Sequence, residues 1–268
     1  MATITEAQAL LPYPQFTDIT ESSVPKGSSW YNSMEVRLSK RFSQGLTVIL
    51  VYTLAKAMEA TSYLNAQDTV LARQLSPWDR TDNLDISANY MIPVGKGKRY
   101  FTNMGPVLDK VVGNWQFNTA VTYLNGTPLA MPTNALPVRN PQLEGSNRTL
   151  LRHFDTCSLL TNGSTEDCVG NEPVTWVQLA PNQLFESSPY SPNMRSPTVP
   201  RTNLSLFKIV PIHERLHLEF RASAFNALNN KIYPSPSTSF NTATFGQVTL
   251  ADKANGARVL EFALRLLW

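Results

Sequence analysis

The chain has 268 residues, with 23 Lys and Arg against 20 Asp and Glu, and only 16% of its residues are charged. A net charge of +3 forms no phosphate-binding stripe, which excludes nucleic acid as a partner and excludes disorder driven by charge repulsion. No run of ~18 apolar residues occurs, so helical membrane spans are ruled out, whereas β spans need only ~10 residues of alternating character.

Residues 1–29 read as a loop-like segment, and Met1 to Gln15 has neither the basic start nor the apolar core of a secretory signal. An exported protein with this start would be a fragment or would leave the cell by another route. From Trp30 the side chains alternate with period 2, the signature of a strand with two different faces. Trp30, Met34, Val36, Leu38 and Phe42 share one face, and Ser33, Glu35, Arg37, Ser39 and Arg41 the other. Ser43-Gln44-Gly45 is a hairpin link to a second run, Leu46, Val48, Leu50, Tyr52 and Leu54. Leu84 to Ile92 and Trp115 to Tyr123 alternate in the same way, and Arg201 to Val210 is a shorter run. After a turn at Pro211-Ile212 come Leu216, Leu218, Phe220, Ala222 and Ala224. The last run is the C-terminal strand 257–268, with Leu260, Phe262, Leu264, Leu266 and Trp268 on one face.

The seven strands are joined by connections 43–45, 59–79, 93–114, 128–200, 211–213 and 228–256. In an up-and-down meander, one side collects 43–45, 93–114 and 211–213, and the other collects the three long loops. Short turns on one side and long loops on the other is the layout of outer-membrane barrels. Phe245 to Leu250 is assigned to a folded excursion within the last loop. The polar face carries charge in mid-strand at Glu35, Arg37, Asp85, Glu219, Arg221, Glu261 and Arg265, which suits a wet lumen better than a dry core. Trp30, Phe42, Tyr90, Trp115, Tyr123 and Trp268 lie towards the strand ends of the apolar face, as in interfacial girdles. The predicted fold is therefore all-β: an antiparallel up-and-down meander of about seven long strands forming an incomplete outer-membrane barrel over residues 30–268. The alternative is a secreted β-sandwich binding module, carbohydrate-binding modules included, with one wet face.

Three short patterns invite a chemical reading. His213-Glu214-Arg215-Leu216-His217 matches H-E-x-x-H, but that motif binds zinc only on a helix, and here Pro211 precedes a strand. Gly95-Lys96-Gly97-Lys98-Arg99 lacks the spacing of a phosphate loop and reads as a solvated turn. Cys157 and Cys168, in the longest loop, lack further ligands at zinc spacing. They form a disulfide or remain free thiols, and an oxidised cell surface favours the disulfide. No catalytic or metal-binding arrangement and no cofactor site is expected, so the chain is not read as an enzyme.

Several blocks carry a more specific likeness. They are Ser28–Phe42 (SSWYNSMEVRLSKRF), Leu46–Lys56 (LTVILVYTLAK), Trp78–Pro93 (WDRTDNLDISANYMIP), Gly95–Arg99, Gly113–Pro128 (GNWQFNTAVTYLNGTP), Arg201–Leu228 and Phe245–Trp268. Together, and in this order, they resemble the C-terminal barrel strands of Oar-like TonB-dependent outer-membrane transporters of the acidobacterial type. The resemblance implies a parent protein in the outer membrane that binds a large or scarce solute at its outer loops and imports it with energy from TonB. It also implies that Leu260, Phe262, Leu264, Leu266 and Trp268 form the strand recognised by the barrel-assembly machinery. The family's plug, TonB box and remaining barrel strands have no counterpart in this sequence. The chain thus corresponds to a C-terminal third, reaches TonB only through the missing part, and is not competent for energised transport alone.

Overall fold

Alternating side chains place one set on each face of a strand, and the long alternating runs are all strands in the structure. The computed structural model describes residues 13, 15–16, 25–41, 45–65, 68–181, 183–213, 216–249 and 256–268. In chain order the elements are β1 (Ser28–Arg41), β2 (Leu46–Ala60), β3 (Gln74–Leu75), β4 (Asp82–Met91), α1 (Pro106–Val112), β5 (Trp115–Leu124), β6 (Pro128–Ala130), β7 (Ala135–Pro137), β8 (Ser158–Leu159), β9 (Thr165–Glu166), β10 (Trp176–Gln178), β11 (Tyr190–Arg195), β12 (Val199–His213), β13 (Leu216–Phe225) and β14 (Val259–Leu267).

The long strands form one sheet in the order β1-β2-β4-β5-β12-β13-β14, with β3 added beside β2. Every neighbouring pair along that path is antiparallel. The register keeps each face continuous, because a slip of one residue would move a whole strand's apolar set to the wrong side. Leu38, Leu50, Ile86 and Val121 stand in one cross-strand row, and Leu206, Ala222 and Phe262 in another. The opposite face aligns Arg37, Val51, Asp85, Thr122 and Arg201. It also places Glu219 opposite Arg265, and Thr122 Oγ1 donates to Asp85 at 2.7 Å. No second sheet covers the apolar face, and only α1 crosses it, beside Trp115 and Lys208: Phe262 and Leu264 are 69% and 67% exposed. A single sheet with a bare apolar face is not a sandwich, so that alternative is set aside.

The barrel is not closed. Among the described residues β1 and β14 do not pair, and because seven strands alternate in direction, these two edges run the same way.

Three expectations change. Pro211 and Ile212 do not turn the chain, because β12 continues to His213 with a bulge between Pro211 and His213. Pro211 is tolerated because β5 no longer pairs there and only β13 does. Connection 93–114 contains α1, a seven-residue helix with Pro106 at its start, too short for its periodicity to register. The long loops are not bare connections: residues 128–200 hold β6 to β11 and share a core with the last loop. Phe245 to Val248 is turn and loop without a strand, in keeping with a folded excursion, and Leu250 lies outside the described residues. So do Phe42, Ser43, Gln44, Glu214 and Arg215.

Candidate functional site

On the loop side, segments with no regular period bring their aromatic residues together. Phe154, Trp176 and Phe240 each pack edge-on against Phe245, Phe154 and Trp176 meet at a tilt, and the ring centroids are 5.2–6.0 Å apart. Leu129, Met131, Ala135, Phe185 and Met194 complete this core, and Trp176 is fully buried. The Trp176 indole N–H would be costly to bury alone, and it donates to the Asp155 carbonyl at 2.6 Å. Around the core lie a small sheet ordered β7-β10-β8-β9 and the pair β6–β11. The last loop joins by backbone bonds, His153 N–H to Gly246 O at 2.8 Å and Val248 N–H to Leu150 O at 2.7 Å. Gly246 has φ +76°, and a Cβ there would stand 2.5 Å from the Thr156 methyl, so glycine is required. We call this unit the cap.

Cys157 and Cys168 are disulfide-bonded within the cap. Among the described residues, Cys157, Cys168 and Glu172 are the one trio of metal-capable donors close together, and both sulfurs are committed to the disulfide. His213 and His217 sit at the short-turn ends of β12 and β13, while His153 belongs to the cap at the other end. The structure brings no third histidine to the H-E-x-x-H segment.

Among the described residues, a buried ion pair ties the cap to the strand wall. Arg195 Nη2 meets Asp79 Oδ2 at 2.6 Å, and Asp79 is 1% exposed. Asp79 Oδ1 also accepts from Ala57 N–H in β2 at 2.7 Å, and Arg195 Nη1 donates to Gly126 O at 3.1 Å. At Gly126 a Cβ would overlap the Ser196 carbonyl, so the chains approach there as only glycine allows. The Asn65 side chain exchanges two bonds with the Phe185 backbone, 3.0 and 2.9 Å, locking a third loop onto the cap.

Beside this junction lies a recess of about 390 Å³ lined by Arg148, Thr149, Leu150, His153, Pro197, Thr198 and Tyr233. His153 Nε2 lies 2.9 Å from the Arg195 carbonyl, and Arg148 Nη2 donates to the same carbonyl at 3.0 Å. The Arg148 guanidinium also contacts the His153 ring. Burial pushes the His153 imidazole below its ordinary value, opposed by the carbonyl bond and reinforced by the Arg148 charge. Burial lowers the Arg148 value as well, though a guanidinium stays protonated. The recess therefore presents one permanent cation, a neutral imidazole and hydroxyls, a set that binds polar or anionic groups.

The C-terminal residues Leu260, Phe262, Leu264 and Leu266 lie on the apolar face, opposite Ala224, Ala222, Phe220 and Leu218. Trp268 is 91% exposed at the short-turn end. Trp115 and Tyr90 are also at that end, with Trp30 and Tyr123 at the loop end. Sequence reasoning missed Asp79, Arg195 and the cap core. Five buried or nearly buried aromatics, Phe154, Trp176, Phe185, Phe240 and Phe245, in otherwise polar loops were the available signal.

A family model described as an outer membrane beta barrel domain matches residues 1–261. No curated protein and no solved structure matches the chain. An antiparallel meander with one largely bare apolar face, one charged face and its longest loops folded together at one end has the architecture that this match describes, and the chain belongs to the outer membrane beta barrel domain family.

Proposed function

We propose that this outer-membrane protein is the C-terminal wall and outer-loop cap of an Oar-like TonB-dependent transporter, and that its role is solute uptake rather than catalysis. The observation that carries the reading is the open sheet. Seven antiparallel strands leave β1 and β14 running the same way, so closure on themselves would need a parallel seam. In hydrocarbon each unpaired backbone group costs several kcal/mol, so both edges require further strands. Transporters of this class close about 22 strands around a plug. In this reading the polar face lines the lumen, and the cap, with its Arg148 recess, meets an incoming polar or anionic solute. β14 hands the wall to the barrel-assembly machinery, and TonB acts through the parts that complete the barrel.

Expression of the chain alone is the test, with heat-modifiability on gels and conductance across planar bilayers as readouts. The expected result is neither a heat-modifiable monomer nor a discrete channel. A heat-modifiable monomer with a reproducible single-channel conductance would sink the reading and make the chain a small self-contained barrel.

A further inference from the structure

At the short-turn end, α1 folds back over the apolar face of β5 and β12. Trp115 Nε1 donates to the Val111 carbonyl at 3.1 Å. Lys208 Nζ donates to the carbonyls of Val111 and Gly113 at 2.8 and 2.6 Å. Lys208 stands on the lipid-facing side, in register with Trp115 and Phe220, its ammonium 4.8 Å over the Trp115 ring. A lysine on that face is costly in mid-membrane and cheap near the interface, so its 5% exposure marks a built feature rather than a stray charge. The carbonyls at the helix C-terminus and the indole face both favour a cation there.

A cavity of about 180 Å³ opens beside it, with Lys96, Lys110 and Lys208 in its lining and Asp109 as its one carboxylate. Asp109 Oδ1 accepts from Lys96 N–H at 2.6 Å, and with three lysines against this one carboxylate the cavity keeps a net positive charge. Connection 93–114 holds Lys96, Lys98, Arg99 and Lys110 against Asp109 alone. The outward side of the same segment is apolar: Tyr100, Phe101, Val107, Leu108 and Val111 are exposed. Cations beside exposed aliphatic and aromatic groups, continuous with a lipid-facing wall, form the pattern of an interfacial helix on an anionic membrane surface. Short turns of such barrels face the periplasm.

We propose that this end of the wall binds an anionic glycerophospholipid of the periplasmic leaflet. Its phosphate occupies the cavity among Lys96, Lys110 and Lys208, and its acyl chains run along Val210 and Phe220. The inference rests on the outer-membrane family and stands whether or not the transporter reading holds.

The test is native mass spectrometry of the full chain in uncharged detergent micelles doped with dioleoyl phosphatidylglycerol or, at the same mole fraction, dioleoyl phosphatidylcholine. Unaltered protein should carry phosphatidylglycerol in roughly tenfold preference, and Lys96→Gln with Lys110→Gln should bring the ratio close to parity. Lys56→Gln with Lys231→Gln, two exposed loop-side lysines, removes the same charge and should leave the preference intact. Equal retention of the two lipids by the unaltered chain, or an equal loss in the loop-side variant, would overturn the proposal.

Discussion

Among the apolar side chains of the long strands, only Ala55 and Ala60 are buried, whereas the cap buries Trp176, Phe154 and Ala135 to 1% exposure or less. The wall is held by its backbone ladders and leaves Leu38, Phe262 and Leu264 bare; the cap has the aromatic core of a water-soluble protein. The difference follows from the solvent each region meets. Lipid gives no reason to hide an apolar side chain but punishes an unpaired backbone group, and water does the reverse. One chain thus carries two stability mechanisms, joined through Asp79 and Arg195.

The sharpest way to break this comparison is Trp176→Ala. Emptying a fully buried indole site should cost the cap about 3–5 kcal/mol, seen as protease cleavage in residues 128–200 while the β circular dichroism of the wall persists. Loss of both signals together would show one cooperative unit instead of two. The wall is probed by adjacent residues on opposite faces. In the assembled barrel Ala88→Arg should cost about 2–4 kcal/mol near the bilayer midplane, and Ser87→Arg, on the exposed polar face, should cost little. Urea titration of both variants in bilayers measures this, and equal costs would remove the distinction between lipid and lumen.

Replacing Cys157 and Cys168 with serine should destabilise the cap by about 3 kcal/mol in the chain-entropy picture, leaving the wall untouched. Thiol-labelled urea titration of cap mutants with a reporter cysteine would give the number, and an unchanged midpoint would refute it. The smallest effect concerns pH. His153 has a folded value depressed by burial, so the folded cap binds this proton less readily than the unfolded chain does. Its contribution is fully present above the ordinary value near 6.5 and is lost as the pH falls below that towards the folded value. The cap should therefore melt earlier at pH 5 than at pH 7.5, and His153→Gln should flatten that slope. A slope that survives the substitution assigns the pH dependence to other groups.

The strands were legible from sequence because their alternation is a local property. Leu84, Ile86, Ala88 and Tyr90 declare a face without reference to any other segment. The extent of β12 was less so, since Pro211 reads as a breaker unless the pairing of β12 with β5 is known to stop at Lys208, opposite Trp115. The recess was not legible, because neither Arg148 nor His153 belongs to a spaced motif.

Sequence by itself determined the seven strands, their two faces and which connections share an end of the sheet. A side-chain period of two fixes both the element and the register that keeps its faces whole. Tertiary structure alone decided the rest: Asp79 meets Arg195 across 116 positions, Phe245 reaches Phe154 and Trp176 from another loop, and α1 turns back to cover Lys208. The first two contacts join irregular segments that the strands bring to one end of the sheet, and the third sets a short helix on β12 at the other end; none of them carries a periodic mark in the sequence.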